Sequence, residues 1–280
     1  MDGVVLQPEA TVTGALNYMK PMAKRPVNYT YQPPEGTPWR SAENESRALP
    51  IRNGRLLAGR LSLDREGFEL VQHASAVKDF YDSEELRSVY YPESERLVRA
   101  ATGAARVLAF DHNIRSGSPQ WREKHTLREP VTRVHNDYTI KSGPQRVRDL
   151  LPPDEAEELL RHRFAIVNLW RPIRAPLQDR PLAVCDAQSM RQEEFVGTDL
   201  VYRDRTGETY SVTWSPQHRW YYFPDMQRHE ALLLKCYDSA TDGRARFTAH
   251  SAFDDPTTPA DALPRESIEL RTLVFFPPKH

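Results

Sequence analysis

Cysteine is scarce: Cys185 and Cys236 are the 2 in a chain of 280 residues. Two thiols make one disulfide at most, which excludes a disulfide-stapled fold and a structural zinc site built on thiolates, and a reducing compartment is expected. Net charge is equally scarce. Lys+Arg 38 against Asp+Glu 39 leaves a formal net charge of -1, so no global field draws the chain to nucleic acid or to an anionic membrane. No apolar run approaches the length of a membrane span. The opening residues, Met1-Asp2-Gly3-Val4-Val5-Leu6-Gln7-Pro8, lack a basic segment followed by an apolar one. Together these absences lead to the expectation of a soluble, cytoplasmic protein with neither nucleic acid nor membrane as partner.

What is present is patterned. Residues 1–60 interleave Pro21, Pro26, Pro33, Pro34 and Pro38 with Tyr18, Tyr29, Tyr31 and Trp39. Proline opposes regular structure and aromatic rings need a surface, so this reads as an extended arm lying over a core, and as the segment through which two copies would form a homodimer. Helices are expected from Ser83, as cap, over Glu84-Glu85-Leu86, across Glu93–Ala105, and from Pro152-Pro153 through the acids to Leu160. Val107–Phe110 reads as a strand and Ser116–Lys124 as a polar loop. After Arg163 come eight short runs rich in β-branched and aromatic residues, from Phe164–Arg171 to Ser267–Phe276, separated by Gly, Pro, Asp or Asn. The expected fold is mainly β: a double-stranded β-helix (jelly roll, cupin-like) with buttressing helices, filling residues 61–280 as a single domain.

Chemistry concentrates in Arg133–Thr139. Side chains alternate along a strand, so His135 and Asp137 share a face. With a distant second His they would complete a two-His-one-carboxylate facial triad, which leaves three positions of an octahedral Fe(II) open. His112 reads as a structural histidine, and the helix dipole alone explains His162 at a helix end. Of the histidines that remain downstream, His250 is the preferred third ligand because an anion-binding strand follows it; His229 is the rival. That strand places Arg265, Ser267, Glu269 and Arg271 on one face, and Ile268, Leu270 and Val274 on the other. Guanidinium groups and a hydroxyl on an inward face call for an anion. 2-Oxoglutarate fits, since its keto acid end chelates Fe(II) while an Arg holds its far carboxylate with a Ser beside it. Arg265 and Arg271 lie six residues apart, roughly 20 Å at about 3.3 Å per residue, so only one can clamp so small a group. Arg265-x-Ser267 is the preferred clamp.

Several ordered segments resemble one family. They are Pro130-Val131-x-Arg133-Val134-His135-x-Asp137-Tyr138-Thr139, Asn168-x-Trp170-Arg171-Pro172-Ile173, Trp220-Tyr221-Tyr222, Leu234-Lys235-x-Tyr237-Asp238-Ser239, Ala249-His250-x-Ala252-Phe253-x-Asp255-Pro256 and Arg265-x-Ser267-Ile268-Glu269-x-Arg271. Over about 130–275 the chain resembles the Fe(II)/2-oxoglutarate-type oxygenases grouped with fungal gibberellin desaturase, aspergillic-acid hydroxylase-like proteins and the cephamycin methoxylation component. The resemblance implies a dioxygenase of secondary metabolism, with iron on His135, Asp137 and His250, that uses dioxygen and 2-oxoglutarate to hydroxylate or desaturate a small molecule. It also implies pocket positions for Lys235 and Arg171. Two other classes stay open at this point: a metal-dependent barrel enzyme that does not use 2-oxoglutarate, and a non-catalytic ligand-binding barrel.

Overall fold

The computed structural model describes residues 11–57 and 59–278; the opening Met1–Pro8, read above, lies outside the described residues. The strands are β1 (Thr11–Met19), β2 (Val27–Tyr29), β3 (Asn44–Asn53), β4 (Phe68–Gln72), β5 (Arg106–Ser116), β6 (His135–Asn136) and β7 (Phe164–Pro172). They continue as β8 (Leu182–Cys185), β9 (Phe195–Val201), β10 (Thr206–Val212), β11 (Trp220–Tyr222), β12 (Glu230–Asp238), β13 (His250–Ala252) and β14 (Glu266–Phe275). Helices α1 (Ser83–Glu85), α2 (Tyr91–Thr102), α3 (Pro119–His125), α4 (Ser142–Leu150) and α5 (Pro153–Leu160) complete the framework, and a π-helical turn joins α1 to α2. None of the described helices is long and apolar enough to cross a membrane.

Nine strands form one sheet in the order β1-β3-β11-β8-β13-β6-β10-β9-β2, and five form the other in the order β4-β12-β7-β14-β5. This is the expected jelly roll. Strand alternation builds its two main cores. Phe164, Ile166 and Trp170 of β7 join Leu232 and Leu234 of β12 between the sheets, while Ala165, Val167, Leu169 and Leu233 turn outward onto Leu86, Tyr90 and Val98 of the helical layer. Each large apolar side chain so buried contributes roughly 1.5–3 kcal/mol. A sheet apolar on both faces therefore needs the helices as much as it needs the second sheet.

Three local differences from the sequence reading have physical causes. Asp82, one residue before Ser83, caps α1 because its extended backbone lets one carboxylate accept from both Glu84 N and Glu85 N. The stretch read as a polar loop holds α3, opened by the Ser118 hydroxyl and by Pro119 in its first turn. β5 runs on past Phe110 because its whole length pairs with β14, from Arg106↔Phe275 to Ser116↔Glu266. That extension brings Asn113 and Arg115 to the pocket wall and Asp111 to Arg271.

Within residues 1–60, β1 pairs antiparallel with β3, and β3 runs parallel to β11. β1 buries Val12, Leu16 and Tyr18 among Trp220, Tyr222 and Phe253. Gly14 is required there, since a Cβ would stand 2.5 Å from Phe253 Cδ2. Trp220 Nε1 donates to the Tyr18 hydroxyl at 2.7 Å, which meets His218 Nδ1 at 2.9 Å, and His218 Nε2 lies 3.0 Å from Glu194 Oε2. His218 is thus a satisfied core histidine.

Gly67 ties β4 to the barrel. Its carbonyl accepts from Lys235 N at 2.8 Å and from Thr248 Oγ1 at 2.7 Å, its φ is 88°, and a Cβ would run into Thr248 Oγ1. Gly67→Ala should therefore cost about 2 kcal/mol or more. The check is the midpoint of chemical unfolding, and an unchanged midpoint would show that the turn relaxes freely.

Candidate active site

β6 is two residues long, and its neighbours give it its purpose. His135 pairs directly with His250 of β13 on one side and with Ser211 of β10 on the other. The register alone brings the two imidazoles together, their ring centroids 4.4 Å apart. Asn136, pointing the opposite way, pins the strand: Nδ2 donates to Tyr138 O at 2.6 Å and Cys236 O at 2.9 Å, and Oδ1 accepts from Thr248 N at 3.2 Å. Asp137 then falls on the face of His135. His135, Asp137 and His250 are the one such group among the described residues, each offering a ligand atom within 4.8 Å of the others. His229 is exposed at the start of β12, His112 Nδ1 meets the Tyr91 hydroxyl at 2.9 Å, and His162 stands beside Glu158; none joins the group.

Protonation suits a metal. His135 Nδ1 lies 2.8 Å from Arg133 O and His250 Nδ1 lies 3.0 Å from Thr248 O. A carbonyl can only accept, so each proton sits on Nδ1 and each Nε2 keeps its lone pair. Burial, with His250 alongside, pushes His135 down to about 3, so it stays neutral. For Asp137 burial works the other way. Arg271 first, with the Asn168 amide beside it, overcomes it and holds the carboxylate well below its usual range. Asp137 Oδ2 accepts from Arg271 Nε at 3.0 Å and from Asn168 Nδ2 at 2.9 Å, while Oδ1 faces His135 Nε2 at 3.7 Å. Two imidazole nitrogens and one carboxylate oxygen converging on a point are the donor set that suits Fe(II).

β14 lines the pocket from this point outward. Arg271 is nearest the cluster, shared by Asp137 and, at 3.3 Å, by Asp111. With its amide oxygen turned inward, Asn113 also accepts from Arg271, at 2.8 and 3.0 Å. Glu269 accepts from Asn168 Nδ2 at 2.8 Å. Ser267 accepts from Arg265 Nε at 3.0 Å, and Arg265 Nη1 donates to Arg180 O at 2.8 Å. Arg265 is buried, lies over the Trp170 ring, and is pushed down to about 9 by burial and by Arg115. No described carboxylate is ion-paired with it.

Two sequence-derived pocket positions lie elsewhere. Arg171 is on the outer face of β7, bonded to His73 and lying over Tyr90, because its neighbour Trp170 takes the inner face. Lys235 likewise turns away from the pocket on β12, paired with Asp64 and, at 3.0 Å, with Asp238. Four residues that the sequence reading left without a role take part in the site: Asn113 and Arg115 on the pocket wall, and Asn136 and Asn168 behind the ligands. Only the register of neighbouring strands reveals them.

Comparison with known proteins agrees with this geometry. The family model described as "Oxidoreductase/YMDC permease-like domain" matches residues 16–275. The hydroxylase/desaturase efuI of Hormonema carpetanum is 32% identical over 290 residues, covering 95% of each chain. The chain belongs to this family of Fe(II)/2-oxoglutarate-dependent hydroxylases and desaturases. Within it, the alpha-ketoglutarate-dependent dioxygenase phiK of Fungal sp. (strain ATCC 74256) is 34% identical over 236 residues, covering 81% of this oxygenase and 83% of phiK. Among solved structures, the iron and alpha-ketoglutarate-dependent endoperoxidase NvfI superposes with a TM-score of 0.88 at 25% identity, over 96% of this chain and 99% of that one.

The contacts of Arg271 yield a prediction for this oxygenase. Arg271→Gln removes a charge and a bond from Asp137, and loss of such a supporting partner typically lowers metal affinity about 10–100-fold. Anaerobic Fe(II) titration should show that loss, with 2-oxoglutarate affinity at saturating iron unchanged. A variant that loads iron normally but binds 2-oxoglutarate poorly would make Arg271 the clamp.

Proposed function

We propose that His135, Asp137 and His250 hold Fe(II), that Arg265 and Ser267 hold the distal carboxylate of 2-oxoglutarate, and that the enzyme hydroxylates or desaturates a small molecule of secondary metabolism. The observation that carries this reading is the pairing, in one pocket, of a two-His-one-carboxylate cluster with a buried guanidinium that has no carboxylate partner among the described residues. Bound iron supplies the activation of dioxygen and the oxidation of a C–H bond, coupled to decarboxylation of the co-substrate. The chain's part is geometric. The Nδ1 bonds aim both imidazoles, Arg271 and Asn168 leave Asp137 Oδ1 free, Arg265 sets the reach of the co-substrate, and Val131, Trp170 and Leu182 are the apolar wall against water.

Iron and 2-oxoglutarate added without oxygen should give the weak visible charge-transfer band of the chelate. His250→Ala should abolish it, and His229→Ala should leave it intact; the opposite pattern would move the distal ligand. Arg265→Lys keeps charge but loses the two-pronged geometry, and should weaken 2-oxoglutarate roughly ten- to hundredfold.

The same reading makes 61–280 the oxygenase domain, with 1–60 as an arm whose strands lie against it, and places the enzyme in the cytoplasm, independent of nucleic acid and membrane. The near-zero net charge supports the last two points. Exposed Trp39 and Met22 support reading the arm as the contact of a homodimer. Light scattering tests this, and a stable monomer would remove the dimer alone.

A further inference from the structure

Arg115 is a second guanidinium on the pocket wall, half-buried, and the chemistry described so far leaves it without a task. It sits on β5 directly opposite Ser267 of β14. Residues opposite one another in an antiparallel pair project from the same face with Cβ atoms about 4.5–5.5 Å apart. The strand end is fixed on three sides: Ser116 N donates to Arg128 O at 3.1 Å, Gly117 N to Arg265 O at 2.8 Å, and Arg115 Nη1 to Glu129 O at 2.8 Å. Among the described residues no carboxylate is ion-paired with Arg115, and the same holds for Arg265.

Glu269 is the acid nearest in register, but its Oε1 is taken by Asn168 and neither guanidinium reaches ion-pair distance of it. Arg115 and Arg265 therefore stand on one pocket wall with like charge, Arg265 fully buried, and no described carboxylate in ion-pair contact with either. An entering anion relieves that repulsion. A carboxylate also has two oxygens to share between two forks.

We propose that Arg115 binds the distal carboxylate of 2-oxoglutarate jointly with Arg265, and so selects a dicarboxylic 2-oxo acid over a monocarboxylic one. The inference rests on the co-substrate reading above. The position of Ser267 favours the co-substrate over the oxidised substrate as the anion: Ser267 hydrogen-bonds Arg265 and faces Arg115, so a carboxylate seated on the Arg265–Ser267 pair lies between both arginines.

The test uses iron-loaded, full-length enzyme without oxygen, titrated with 2-oxoglutarate and with 2-oxovalerate, which lacks the second carboxylate, by the visible chelate band. Arg115→Gln should weaken 2-oxoglutarate about ten- to hundredfold and leave 2-oxovalerate unchanged. Arg115→Lys, which keeps charge but not the fork, should fall between; it carries the test if the Gln variant does not fold. Iron affinity and melting midpoint are measured beside each. Wild-type affinity for 2-oxoglutarate in both variants would overturn the assignment, as would equal weakening of both acids, which would mark a structural disturbance. A wild-type enzyme that chelates neither acid would remove the co-substrate reading itself, and this inference with it.

Discussion

The site depends on keeping one carboxylate ionised where water does not reach it freely. Burying a lone charge costs several kcal/mol, more than any single neutral hydrogen bond returns, so Asp137 is tenable only with a cation and a donor against it. Arg271 and Asn168 supply both, and they face each other across β14 and β7 in register. Asp111, opposite Arg271 on β5, shares the guanidinium. Thus one carboxylate ties together the alignment of three strands. A slip of one residue in any of them would turn its polar side chain outward and leave the charge unpartnered.

From that base the inner face of the smaller sheet is layered by distance from Asp137. Arg271 is bonded to Asp137 itself. Glu269, Trp170 and Asn113 form a middle layer, and Ser267 and Arg115 the next, with Arg265 beyond. Two arginines on one strand therefore have separate partners, Asp137 and Asp111 for one, Ser267 and Arg180 O for the other. Trp170 closes the apolar cluster between the sheets and also carries the Arg265 guanidinium on its ring.

The parts legible in the sequence were those set by the period of a single strand. His135 with Asp137, and Arg265 with Ser267, follow from alternation, and the jelly roll follows from the train of short apolar runs. Residues fixed by pairing between strands were not legible. Arg115 acquires meaning only when β5 is seen to continue beside β14, and Asn168 only when β7 brings it next to Asp137. Arg171 and Lys235 show the converse. Likeness of segment suggested a pocket position, but each side chain points to the outer face, where His73 and Tyr90, or Asp64 and Asp238, satisfy it. The short helix α3 had its Ser118 and Pro119 signals, yet seven residues with no apolar stripe gave no period to read.

β5 is the last strand of its sheet, joined on one side to β14 and on the other only through the isolated bridge of Arg115 to Arg128. The strands that carry His135 and His250, β6 and β13, are enclosed by neighbours on both sides. Substitutions along a rim strand disturb one ladder rather than two. On β5 that freedom falls to side chains turned to the helical layer, such as Ile114, because Asp111 on the same strand helps to hold Arg271 against Asp137. The edge of the sheet can thus vary on its outer face while its inner face stays tied to the cluster.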